Sequence, residues 1–161
     1  MSIYEKAKQF AVEAHGSINQ LRKYTNEPYH VHVLAVAELV SAQTSDEEVL
    51  AAACLHDVLE DVAPFKPEYG PGAIHREFGK RVLQLVVELT DVYTKENFPD
   101  LNRAKRKKLE AERLAQVSEE AKLIKRADLY DNNKTLMGTS FERVWLEEKA
   151  VLDSIIGIWI P

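Results

Sequence analysis

The chain has 161 residues and a net charge of −5, with 45% hydrophobic and 29% charged residues. Domains run to roughly 100–200 residues, so residues 1–161 are expected to form one soluble globular domain around one sizeable core. No apolar run approaches the ~18 residues of a membrane span, and the acidic balance argues against a broad surface for a nucleic acid polymer. The start "MSIYEKAKQF" has neither the basic opening nor the apolar middle of a secretory signal, so a cytoplasmic location is expected. The one cysteine, Cys54, has no internal partner and reads as a buried, reduced thiol.

Helical periodicity dominates and β-type alternation is almost absent, which predicts an all-α fold. The first helix, "SIYEKAKQFAVEAHG", places Ile3, Ala7, Phe10, Ala11 and Ala14 on one face and is expected to stop at Gly16. "INQLRKYTNEPY" reads as a loop, because Asn26 and Pro28 are turn formers. The next helix runs through "HVLAVAELVSA" with Ala35, Val36, Leu39 and Val40 inward. "SDEEVLAAACLHDVLED" predicts one continuous helix, opened by a capping box from Ser45 to Glu48 and closed before Pro64.

"APFKPEYGPG" is the clearest loop. A short helix "AIHREFG" and a longer one "KRVLQLVVELT" follow, separated by Gly79. A second loop, "DVYTKENFPDL", leads into the charged helix "NRAKRKKLEAERLAQ". The helix "SEEAKLIKRADLYDNNKTL" is capped by Ser118 with two acids behind it. The last helix, "SFERVWLEEKAVLDSIIGIW", is expected to pack Val144, Leu146, Val151, Leu152 and Ile155 inward.

Chemistry concentrates where apolar stripes turn polar. On a continuous helix His56, Asp57, Glu60 and Asp61 share one arc, the arc that carries Ala52 and Ala53 a turn earlier. Buried carboxylates without partners commonly cost several kcal/mol each, and a metal ion removes that penalty. A solvent-exposed helix end with casual charges is the bland alternative. In the later helix Ala121, Ile124, Asp128, Asn132 and Thr135 stack along one side, so Asp128 faces inward and needs a cation or several donors; an Arg or helix N–H groups could also satisfy it. His32 opens the inward face of its helix, whereas His30 lies off the stripe. Two imidazoles and two carboxylates suit a divalent transition metal. Spacing alone does not bring them together, since 24 residues separate His32 from His56 and 71 separate Asp57 from Asp128.

The segments "RKYTNEPYHVH", "HDVLED", "FGKRVLQLVVELT" and "LIKRADLYDN" resemble, in order, the hydrolase domain of the RelA/SpoT alarmone enzymes, and the length resembles the small single-domain alarmone hydrolases. The resemblance runs from about Ala11 to beyond Leu136. It implies an HD-domain helical bundle with the metal site between central helices, in which His32, His56, Asp57 and Asp128 bind one divalent ion, manganese in the family. It makes Glu60 and Asp61 the acidic pair that orients and deprotonates the attacking water. By the same resemblance Asn132 and Thr135 line the nucleotide pocket, Arg22 and Lys23 pack on the base, and Arg103 contacts a phosphate. Read from its residues alone, the run "RAKRKK" is a solvated face.

The implied reaction is hydrolysis of the 3′-diphosphate of an alarmone such as (p)ppGpp or (p)ppApp, releasing pyrophosphate. The alternatives are another HD-type phosphohydrolase, acting on a nucleoside monophosphate or a phosphorylated cofactor, and a sensor module without chemistry. Three positions depart from the family pattern: Val33 follows the first metal histidine in place of proline, Leu129 follows the metal aspartate in place of arginine, and Asp131 stands where histidine is common. The last two lie beside Asn132 and bear on base preference.

Overall fold

The computed structural model describes residues 1–161. Its helices are α1 (Ile3–Ser17), α2 (His30–Ser41), α3 (Glu47–Leu55), α4 (Val58–Asp61), α5 (Pro71–Phe78), α6 (Lys80–Leu89), α7 (Arg103–Leu114), α8 (Glu119–Leu136) and α9 (Glu142–Ile156), with a short 3-10 turn at Pro67–Tyr69. No strand forms; Leu21 and Pro28 make an isolated antiparallel bridge that closes the α1–α2 loop. No helix is long and apolar enough to cross a membrane.

Helix α3 is the centre of the bundle. Every residue from Val49 to Leu55 is buried, and Ala51, Ala52 and Ala53 leave room for α1, α2 and α6 to pack around it. Cys54 sits there too, its thiol pushed up to about 12 by burial, as a reduced structural cysteine should be. Helix α8 lies against α2, α6 and α9, so α2, α3 and α8 meet at the end of the α3 stripe. A smaller apolar group of Leu114, Leu129, Trp145 and Ile156 ties α7, α8 and α9 together.

Several local expectations are corrected. The cap of α3 is Asp46, not Ser45: its carboxylate accepts from the N–H groups of Glu48 and Val49. Arg81 pairs with the same carboxylate at 2.8 Å, a partner no local pattern supplies. Helix α1 runs through Gly16 to Ser17, and the left-handed turn falls on Asn19 at φ 50° instead. Helix α2 begins at His30, with Val33 and Ala37 buried beside Val36 and Val40, while Ala35 and Leu39 are only half-buried.

Helix α9 presents only part of the face expected: Leu152 and Ile155 pack against the small apolar group, but Leu146 and Val151 do not. Trp145 and Ile156 are buried, whereas Leu146 and Val151 are exposed. Gly157, at φ 84°, then turns the chain so that Trp159 reaches the main core. The Ser118 cap and the break at Gly79 are as expected, the latter at φ 90°.

Candidate metal centre and nucleotide cleft

The largest departure from local expectation lies at the centre of the site. Residues 45–61 do not form one helix: α3 ends at Leu55 and α4 begins at Val58. The His56 ring takes the Ala53 carbonyl at 2.6 Å, one of the last-turn acceptors that a helix end leaves open. Asp57 then adopts φ −105°, ψ 0° as the residue before α4. The break lets neighbouring side chains, which a continuous helix would splay by about 100°, aim at one point.

That point gathers residues from α2, the α3–α4 break and α8. Ligand atoms of His32, His56, Asp57 and Asp128 all lie within 4.8 Å of one another. His32 Nε2 is 2.9 Å from Asp128 Oδ1, and His56 Nε2 is 3.2 Å from Asp57 Oδ2 and 3.3 Å from Asp128 Oδ1.

These residues fit a divalent cation. His56 Nδ1 is committed to the Ala53 carbonyl, so Nε2 carries the free lone pair; that atom is buried and makes no hydrogen bond. His32 Nδ1 lies 2.7 Å from Asp131 Oδ2, which likewise turns Nε2 toward the centre. Such carboxylate and carbonyl partners behind metal-ligating histidines fix tautomer and ring orientation. Tyr29 donates from its hydroxyl to Asp57 Oδ2 at 2.7 Å, and Lys125 donates to Asp128 Oδ2 at 2.9 Å. Asp131, Tyr29 and Lys125 were missed as support by sequence reasoning; only the Lys125–Asp128 spacing carried a local signal, as a pair three apart on one helix face.

The electrostatics agree. Burial opposes charge on both imidazoles, yet the surrounding carboxylates raise both, His32 through Asp128 and Asp131, and His56 through Asp57 and Asp128. Burial also opposes charge on Asp128, but Lys125 and the two histidines hold its carboxyl well below the usual range. Without a cation both imidazoles are therefore easier to protonate than a free histidine, and a metal competes with protons for them. The sign follows: affinity for a divalent ion falls as pH drops below the raised imidazole values. Calorimetric titration near pH 7 in two buffers of different ionisation enthalpy should show net proton release; identical heats in both would contradict this ligand set.

Glu60 and Asp61 flank the centre from α4. Glu60 Oε1 accepts from the Asp91 N–H at 2.9 Å, and Asp61 Oδ2 accepts from Gln20 Nε2 at 3.0 Å. Desolvation, then the like charges of Asp91 and Asp57, push Glu60 up to about 8, while the hydrogen bond from the Asp91 N–H moderates the rise. Desolvation and Asp57 push Asp61 up to about 7. Both acids therefore sit where a proton acceptor works near neutral pH. Glu110, buried on α7 and paired with Arg113 at 2.8 Å, accepts from the Val92 N–H and holds the turn that carries Asp91.

A cleft of 310 Å³ opens beside the centre, lined by Arg22, Lys23, Tyr29, Arg103, Asn132 and Thr135 among others. Arg22 is buried and donates to Asn132 Oδ1 at 3.2 Å and to Thr135 Oγ1 at 2.8 Å, so three of the expected pocket residues form one hydrogen-bonded group. Arg22 Nη1 has no hydrogen-bond partner. Lys23 is exposed on the cleft rim. Arg103 is on the wall, paired with Glu148 at 2.8 Å and lying over the Phe141 ring. The rest of its run is mostly a solvated face, with Ala104, Lys105, Lys107 and Lys108 exposed.

Fold and site together define an all-α protein built around a buried centre for a divalent cation, with a polar cleft at its side. The HD-domain family profile matches residues 7–144. A guanosine-3′,5′-bis(diphosphate) 3′-pyrophosphohydrolase, MESH1 of Drosophila melanogaster, is 37% identical over 98% of this chain and 89% of its own length. A guanosine-3′,5′-bis(diphosphate) 3′-pyrophosphohydrolase of Aquifex aeolicus is 36% identical over 96% of the chain, which spans 22% of that longer protein. The solved structure of a metazoan orthologue of SpoT that hydrolyses ppGpp superposes with a TM-score of 0.72 at 32% identity, over 96% of this chain and 94% of that one. The chain belongs to the HD-domain family, in the group that includes MESH1.

Proposed function

We propose that this protein is a metal-dependent alarmone hydrolase, acting as one HD-type domain over residues 1–161, that removes the 3′-diphosphate of (p)ppGpp or (p)ppApp as pyrophosphate. The observation that carries this reading is the convergence of His32, His56, Asp57 and Asp128 within 4.8 Å, with Glu60 and Asp61 alongside. MESH1 and the SpoT orthologue, proteins with that named activity, support the choice of substrate.

The four ligands are assigned to one divalent ion, Mn2+ by family resemblance. Such an ion acts as a Lewis acid, lowering the pKa of a water and neutralising phosphoryl charge. The acids supply the proton chemistry. Glu60 or Asp61 accepts a proton from the attacking water, whose oxygen forms the new P–O bond; the bond from phosphorus to the 3′-oxygen breaks, and that oxygen takes up a proton. Arg22, held by Asn132 and Thr135, and Lys23 on the rim are assigned to the nucleoside, and Arg103 to a phosphate. A planar guanidinium stacks on a base, and an ammonium meets a phosphate as a point charge. The single buried thiol supports the cytosol as the compartment.

The test is incubation of Mn2+-loaded protein with guanosine and adenosine tetra- and pentaphosphates, with products separated by chromatography. Pyrophosphate and the matching nucleoside 5′-di- or triphosphate are expected. Orthophosphate as the only phosphorus-containing leaving group would replace this reading with a monophosphatase.

A further inference from the structure

One buried polar residue has no part in the site as described. His15, in the last turn of α1, is 1% exposed, an unfavourable position for an imidazole without compensation. Its Nδ1 lies 2.7 Å from Gln20 Oε1, and Gln20 Nε2 donates to Asp61 Oδ2 at 3.0 Å. Its Nε2 has no partner.

These contacts define a proton arrangement. An amide oxygen only accepts, so His15 Nδ1 must carry the hydrogen. Nε2 is then a bare lone pair, which costs less to leave unpaired than a buried N–H. Reversing the Gln20 amide would set its oxygen against the Asp61 carboxylate, acceptor against acceptor, so the Asp61 contact fixes the amide and the amide fixes the tautomer. Burial keeps the imidazole neutral, lowering it below its ordinary range. The main chain of Gln20 is fixed independently: its N–H donates to the His15 carbonyl at 3.1 Å, and its carbonyl accepts from the Tyr29 N–H at 2.9 Å.

We propose that Gln20, oriented by the Nδ1–H tautomer of His15, is a positioning residue for Asp61, tying down Oδ2 and leaving Oδ1 as the oxygen that accepts the proton of the attacking water. This rests on the role assigned to Asp61 above. It also accounts for a histidine and a glutamine at the junction of α1 and the loop that carries Arg22: they link the α1 end to the acid on α4.

Because its backbone bonds survive side-chain replacement, Gln20→Met tests the amide alone. Removing a supporting partner of this kind typically costs about 10–100-fold in activity. Gln20→Met should lower kcat by about that factor, with KM and bound metal per protein unchanged. His15→Phe should fall with it, and His15→Asn, which keeps an N–H near Nδ1, should recover most of the loss. In an Asp61→Asn background Gln20→Met should have no further effect. Nitrogen-15 spectra of protein loaded with a diamagnetic divalent ion should show His15 as the Nδ1–H tautomer.

Full activity of Gln20→Met beside a crippled Asp61→Asn overturns the link, as does an equal loss in both backgrounds or an Nε2–H tautomer. Full activity of Asp61→Asn removes the base assignment itself. No pyrophosphate from the wild-type protein removes the substrate assignment.

Discussion

Asp57→Ala should lose metal binding and turnover together. Asp57 occupies the break between α3 and α4, with Oδ2 3.2 Å from His56 Nε2 and 3.8 Å from His32 Nε2, and its position is secured by the Tyr29 hydroxyl. Truncation deletes one of the four groups proposed to hold the ion and leaves that hydroxyl without its acceptor. In the metal-free protein the change removes a carboxylate that His56 and His32 hold below its usual range, so some stability should be lost there as well, offset in part because Asp57 also raises Glu60 and Asp61. A further difference emerges on adding metal. A ligand present at 100 times its Kd stabilises the native state by about 2.7 kcal/mol, and this gain should vanish in the variant. Elemental analysis, thermal melts with and without Mn2+, and turnover measure the three consequences. Full activity with normal metal content would refute the site.

Glu60→Gln should separate metal binding from proton transfer. The replacement keeps the size of the side chain and an oxygen able to accept the Asp91 N–H, but it cannot take a proton at neutral pH. Turnover is expected to fall by about 10²–10⁴-fold, the usual contribution of a positioned general base. KM and bound metal should stay near wild type. Asp61→Asn provides the companion measurement, and the larger loss identifies the principal acceptor. The stability sign can be checked in the same proteins. Glu60 is raised above its unfolded value, so in the metal-free state the fold binds more protons than the unfolded chain between the ordinary glutamate range and about 8. Metal-free wild-type protein should therefore lose stability as pH rises through that window, and Glu60→Gln should lose less. A Glu60→Gln enzyme with wild-type kcat would leave Asp61 alone as the base.

The helices were legible because their stripes and caps are local. Ser118 accepts from the Ala121 N–H, and Gly79 separates α5 from α6, as their positions in the chain require. Helix α9 was misread in part for an equally local reason. Leu146 and Val151 flank, on opposite sides, the stripe of Trp145, Leu152 and Ile156, so apolar side chains spread round much of the helix and periodicity does not select a unique buried face. The cap of α3 fell on Asp46, one residue beyond the expected Ser45, and Arg81, 35 residues away, also holds that carboxylate.

The ligand residue types were readable from polar groups interrupting apolar stripes, and their likeness to a known family named the full set. Their convergence was not readable, because it depends on α2, α3 and α8 packing together and on a helix break at which the His56 imidazole takes the Ala53 carbonyl. The same holds for the supports: His32 with Asp131, Glu60 with the Asp91 N–H, and Asp61 with Gln20 join residues 99, 31 and 41 positions apart. By itself the sequence determined the helices, the apolar stripes and the candidate chemistry, since these follow from neighbours three or four residues apart. Tertiary structure alone decided which way each ligand points and which acid has which partner, because those hydrogen bonds exist only once distant segments have been packed side by side.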